Sequence, residues 1–243
     1  MRISRRLRAR SGLRYAGGLA LLFAMYVLTA KLGLRLDAVG GFATLVWPPT
    51  GIALAALLVF GRKLWPAITL GAFVANVTSG APLPVACGMA AGNTLEAVVG
   101  ATLLMQVFAF DRSIGRVRDV FAFAFAAAAA STLISASIGV ASLWAGGVVP
   151  ASHVVAAWRA WWVGDALGDL VIAPFALAWW YERGQPTRPG ELAEVAMLAV
   201  LATIGALFAF DLIPLRPDPE AFRTRYLAFP VLAWASLRGG SLR

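Results

Sequence analysis

The sequence predicts an all-α membrane protein, a polytopic helical bundle of seven to eight transmembrane helices. Three observations carry that expectation. Hydrophobic residues make up 60% of the 243 and charged residues 14%, against about 45–50% and about 25% in soluble domains. The charges gather in short clusters between apolar runs, several of them long enough for a hydrocarbon core of ~30 Å. The ~10-residue alternating segments of an outer-membrane barrel are absent.

Composition also narrows the function. The single cysteine, Cys87, forbids an intrachain disulfide, and the single histidine, His153, argues against a protein-built zinc site. A net charge of +9 could suggest nucleic acid, but the basic residues border the apolar runs, so they read as membrane anchors and no nucleic acid is expected. No nucleophile–base pair, metal cluster or phosphate loop stands out. Neither an enzyme nor a metal or cofactor is therefore expected.

Residues 1–14 hold six arginines and no acid and read as a cytoplasmic basic amino terminus. The apolar run 15–34 is longer than the ~7–15 residues of a signal-peptide core and lacks a clean cleavage site, so it reads as an uncleaved first span. A second run, 44–60, opens with Trp47-Pro48-Pro49-Thr50-Gly51. Proline suits the first turn of a helix, where its missing N–H is not needed. The turn Gly61-Arg62-Lys63-Leu64-Trp65-Pro66 leads to a third run, 66–77, and SGAPLP leads to a fourth, 85–108. After DRSIGRVRD comes a fifth run, 120–144, rich in alanine, serine and threonine; Ser131, Thr132, Ser135 and Ser137 suit close helix packing. A sixth run covers 157–180 and a seventh 192–210. The last, 226–237, is about twelve residues, short of the roughly twenty a span needs.

With the amino terminus inside, the alternating segments put 15 of the 21 lysines and arginines on the inner side. That bias favours cytoplasmic placement of both termini.

The sixth run carries the chemistry. At ~100° per residue, Trp158, Trp161, Trp162, Asp165 and Asp169 share one helix face, while Val163, Leu167 and Leu170 lie opposite, toward lipid. Gly164 and Gly168 leave room for a neighbouring helix. An ionisable residue inside a span costs from ~3 to ~10 kcal/mol, which by default marks a site or an inter-helix network. Both readings stand at this point. The aspartates either hold a ligand or proton, or bond structurally to hydroxyls, tryptophan N–H groups or Arg159. In the fourth run Asn93 and Glu96, three apart, share a face. If Glu96 meets the aspartates, three carboxylates converge with few cations at hand. An intramembrane aspartyl protease does not fit, because Ala166-Leu167-Gly168-Asp169 lacks the glycine-x-glycine-aspartate form. The expected ligand-binding set is Asp165, Asp169, Glu96, Asn93, Trp47 and Trp162.

Five blocks occur in order: VWPPTGIALAALLVFGRKLWPAITLGAF (46–73), GNTLEAVVGATLL (92–104), STLISASIGVASLWAGG (131–147), WWVGDALGDLVIAP (161–174) and FPVLAWASLRGG (229–240). Together they resemble the MASE1 domain, a bacterial membrane-associated sensor module of about eight spans. The resemblance covers 15–243, with the last span expected to be incomplete. It implies a sensory input region of the bacterial inner membrane, usually followed by a cytoplasmic output such as a histidine kinase or a cyclic-di-GMP enzyme. No output domain is expected within these 243 residues. The partners it implies are the lipid bilayer and either a small ligand or a membrane protein, with a homodimer left open. A small transporter or proton-coupled carrier would also use midplane carboxylates and proline-broken helices. A structural subunit would instead leave the carboxylates dispensable.

Overall fold

Prolines decide where several of the helices begin. In the computed structural model, which describes residues 2–36, 46–114 and 116–182, α1 runs over Arg2–Leu36, α2 over Pro48–Phe60 and α3 over Trp65–Val77. Pro48 and Pro49 open α2, and Pro66 lies in the first turn of α3. A 3₁₀ turn, Arg62–Leu64, joins α2 to α3. Next come α4 (Leu83–Thr102), α5 (Val117–Ala122), α6 (Thr132–Ala145), α7 (Val154–Leu167) and α8 (Ala173–Glu182).

Three π-helical stretches join or extend these. Leu103–Val107 prolongs α4, Phe123–Ser131 links α5 to α6, and Gly168–Ile172 links α7 to α8. The described residues therefore form six helical rods with no strand. Four apolar stretches, Gly12–Arg35, Leu83–Val107, Val117–Ala145 and Ala151–Tyr181, are long enough to cross a membrane. The expectation of seven to eight spans is not met within the described residues. Helix α2 is apolar but has 13 residues, or about 20 Å, because its proline pair sets a late start. The expected seventh and eighth runs, 192–210 and 226–237, lie outside the described residues.

Helix α4 is central. It packs against α2, α3, α6 and the 123–131 stretch, while α1 packs against α2 and α3. One apolar cluster joins Leu22, Leu54, Leu58, Ile68, Leu104 and Leu177. A second joins Val85, Met89, Val140, Leu143 and Trp161. At one end of the bundle the Tyr15 hydroxyl donates to the Lys63 carbonyl at 2.9 Å. Phe60 meets Trp180 edge-on there, with centroids 4.5 Å apart.

The connection between α4 and α5 is tightly bent. Ala109 and Ile114 have φ of 45° and 53°, a strained choice for a β-branched residue such as Ile114. Asp111 accepts from both the backbone N–H and the hydroxyl of Ser113, at 3.0 and 2.9 Å. Those two bonds hold the Asp111 carboxyl below the usual aspartate range. Asp119 is fully buried below the turn, and its Oδ1 accepts the Asp111 N–H at 3.3 Å.

Candidate functional site

A helix whose start is buried leaves N–H groups without water to bond. The start of α2 avoids most of that cost. Pro48 and Pro49 carry no N–H, and the Thr50 N–H donates to the Trp47 carbonyl at 3.2 Å. The Trp47 N–H donates across to the Gly164 carbonyl of α7 at 2.9 Å. Two glycines permit this approach. A Cβ on Gly168 would collide with the Trp47 carbonyl, and one on Gly51 with the Gly168 carbonyl. WPPTG and GDALGD therefore fit together backbone to backbone, which fixes where Thr50 and Asp165 meet.

Asp165 is 1% exposed. Thr50 Oγ1 donates to its Oδ1 at 3.2 Å and Ser135 Oγ to its Oδ2 at 2.8 Å. Ser135 in turn accepts from Trp161 Nε1 at 2.9 Å. A hydroxyl gives one proton and accepts others, so Trp161, Ser135 and Asp165 form a directed relay from α7 to α6 and back. The positive end of the α2 dipole also faces this carboxyl.

The neighbouring polar groups are not satisfied in the same way. Glu96, 1% exposed, lies within reach of the Asp165 and Asp169 charges. Both of its carboxyl oxygens are buried and neither makes a close hydrogen bond, although the Ser135 and Asp165 side chains lie beside them. Asp169, in the π-helical stretch after α7, has its Oδ1 buried without a hydrogen-bond partner. Asn93 donates to the Met89 carbonyl at 2.8 Å, while its Oδ1 is unpartnered. Tyr26 of α1 is 1% exposed and lies within reach of the Asp165 and Glu96 charges; its hydroxyl makes no close hydrogen bond, although the Trp47 side chain lies beside it. Buried polar atoms normally have partners, so five such oxygens in one region call for an explanation.

Asp165, Asp169 and Glu96 thus lie within electrostatic reach of one another without converging on a single point, and Trp47, 8% exposed, stands at the α2 start. Asn93 lies one helical turn before Glu96 on α4. Trp162 is placed differently: its Nε1 donates to the Ala129 carbonyl at 3.2 Å and its ring stacks on Trp158 at 5.9 Å. Trp158 Nε1 bonds Ser137 at 3.2 Å. Trp158, Trp161 and Trp162 each tie the Ala151–Tyr181 rod to the Val117–Ala145 rod.

Sequence reasoning assigned no site role to Tyr26, Thr50 or Ser135. For Tyr26 a signal existed, since it sits well inside the first apolar run and away from the interfaces where tyrosine is expected. Thr50 and Ser135 gave none, because hydroxyls in spans serve packing equally well. Arg159, a possible structural partner of the aspartates, forms no ion pair among the described residues; there the ion pair is Arg118–Asp119, at 3.7 Å. Nor does any trio of histidine, cysteine, aspartate or glutamate among them converge closely enough to hold a metal ion.

Comparison with protein families gives a match to the MASE1 model over residues 18–242, nearly the whole chain. Neither the curated proteins nor the solved structures give a match.

Proposed function

The chain belongs to the MASE1 family of membrane-associated sensor domains, and from that premise we propose that its signal enters at the buried network of Asp165, Asp169, Glu96, Asn93 and Trp47. Trp162 belongs to this set as a brace on its rod. The observation that carries the reading is the backbone-tight seat of α2 on the Asp165 rod, beside polar oxygens that make no close hydrogen bond. A stimulus that satisfies those oxygens better in one helix arrangement than another shifts the balance between the two. The shift then passes along the Ala151–Tyr181 rod and on through the chain toward a cytoplasmic output, a kinase or a cyclic-di-GMP enzyme. The stimulus is a small ligand or a membrane partner, a second copy of the chain included. The protein resides in the bacterial inner membrane with both termini cytoplasmic, in line with the 15-to-6 division of basic residues. From the apolar runs of the sequence we infer seven or eight spans in all.

The test is to join the chain in frame to a histidine-kinase output and read a reporter across growth conditions. The wild type is expected to vary its output. Asp165→Asn and Glu96→Gln are expected to lock it at one level while Leu28→Ala, on the lipid side of α1, behaves as wild type. Output that varies equally in all of them would refute the site. Solute uptake by proteoliposomes that is lost in Asp165→Asn would favour the carrier reading, which the same midmembrane carboxylates support.

A further inference from the structure

One end of the bundle gathers positive charge that its own acids do not cancel. Three contacts bring the parts of that end together. The Tyr15 hydroxyl of α1 donates to the Lys63 carbonyl in the turn between α2 and α3, and the Lys63 ammonium lies 5.8 Å from the Tyr15 ring centroid. In the same turn Arg62 Nη1 donates to Thr102 Oγ1, at the end of α4, at 2.9 Å. The chain leaving α4 bends back at once: the Phe108 and Phe110 N–H groups donate to the Leu103 and Leu104 carbonyls at 3.1 and 3.0 Å. The connection to α5 therefore lies at this end too.

The side chains described there carry six cations, Arg14, Arg62, Lys63, Arg112, Arg116 and Arg118, and all but Arg112 are exposed. Two carboxylates oppose them. Asp119 is buried and meets Arg118 at 3.7 Å. Asp111 lies within reach of the Arg116 and Arg118 charges but spends its Oδ1 on Ser113. Arg112 Nε, meanwhile, is buried and makes no hydrogen bond. These side chains thus hold an excess of four positive charges and a buried N–H donor without an acceptor. Buried donors normally find acceptors, and a bound anion would supply both the acceptor and the missing charge.

We propose that the α2–α3 turn and the α4–α5 connection together bind the headgroup phosphate of an anionic phospholipid, with Arg62, Lys63, Arg112 and Arg116 as its cations. Guanidinium groups match phosphate oxygens in charge and in fork geometry. The flanking side chains favour lipid over an acidic protein. Trp65, two residues after Lys63, is 49% exposed, and Val117 and Phe121, one turn apart on α5 beside Arg116 and Arg118, are 73% and 71% exposed. Cations bordered by bare apolar groups suit the seam between headgroups and acyl chains. A water-facing docking surface would leave that apolar area wet. The lipid would also hold one end of α2, the helix whose other end is seated on the Asp165 rod.

The experiment is native mass spectrometry of the full chain, purified in mild detergent and offered phosphatidylglycerol or phosphatidylcholine with the same acyl chains. The wild type is expected to retain phosphatidylglycerol preferentially. Lys63→Gln and Arg116→Gln, both at exposed positions, should each cut that preference by about fivefold. Arg159→Gln, on the exposed side of α7, should leave it intact. Arg62→Gln should lose as much, but it also forfeits the bond to Thr102, so the two exposed variants decide. A folded wild type that holds the two lipids equally overturns the proposal, as does a preference unchanged in Lys63→Gln and Arg116→Gln. Millimolar inorganic phosphate that abolishes the preference would overturn it in favour of a free-phosphate site. Capture of poly-glutamate by a wild type that shows no lipid preference, and not by the variants, would assign the surface to an acidic protein instead.

Discussion

The first and fourth helical rods carry apolar stretches of nearly equal length, Gly12–Arg35 and Leu83–Val107, yet the bundle treats them in opposite ways. The Gly12–Arg35 stretch is the more hydropathic, and 17% of its most apolar window is buried; for Leu83–Val107 the share is 56%. Leu13, Leu21, Leu28 and Leu32 of α1 face outward, while Gly92, Asn93, Glu96, Ala97, Gly100 and Ala101 of α4 face in. In water the greasier helix would take the centre. In lipid, large apolar side chains have nothing to gain by moving inward, and small or polar ones do. Burial here follows smallness and polarity.

A charge placed on the outward side should break that contrast most severely. Leu28→Asp on α1 exposes a carboxylate to lipid, and membrane insertion measured in cells should fall by about 3 kcal/mol. A crowding change on each rod sharpens it further. Gly100→Leu drives a side chain into Ser131 and Leu54, whereas a Cβ at Gly17 meets nothing within 4 Å. Unfolding in mixed micelles should show a loss of about 2 kcal/mol for Gly100→Leu and under about 0.5 kcal/mol for Gly17→Leu.

Polar satisfaction on the inner side comes next. Ser135→Ala strands both Trp161 Nε1 and Asp165 Oδ2, for a loss of about 1–2 kcal/mol in the same assay. The smallest effect lies beyond the end of the α4 rod. The Asp111 carboxyl is held below its ordinary range by Ser113, so its contribution is present above the unfolded-state value and is lost as pH falls through the folded one. Amide exchange at Ser113 should quicken only under strongly acid conditions, with the spans unaffected.

How much of this could be read from residues alone varies with the kind of contact. Charges inside apolar runs announce themselves, so Asp165, Asp169 and Glu96 stood out before any coordinates. The proline pair marked the α2 start for the same local reason, though the resulting shortness of that helix was not anticipated. The fourth and fifth runs, expected at 85–108 and 120–144, extend over Leu83–Val107 and Val117–Ala145. Pairings across long stretches of chain were illegible. Nothing local in Ser135 says that it receives Trp161 and gives to Asp165, and nothing in Trp162 says that it bonds Ala129. Tyr26 was hidden by the usual role of tyrosine as an interfacial anchor. The π-helical stretches were missed because no residue pattern in FAFAAAAAS or GDLVI distinguishes them from ordinary helix.

The Gly168–Ile172 turn also has a torsional meaning. A π turn is a register slip in the ladder of backbone hydrogen bonds: one residue more than an α-helix would use to cover the same ground. Helix α2 touches this rod on both sides of the slip, at Gly164 through Trp47 and at Trp180 through Phe60. If the slip were to travel off the end of the rod, everything beyond Asp169 would turn by about 100° and slide by about 1.5 Å relative to Asp165. The rod thus holds a ready-made crank, with α2 as the fixed bar against which its rotation would be felt.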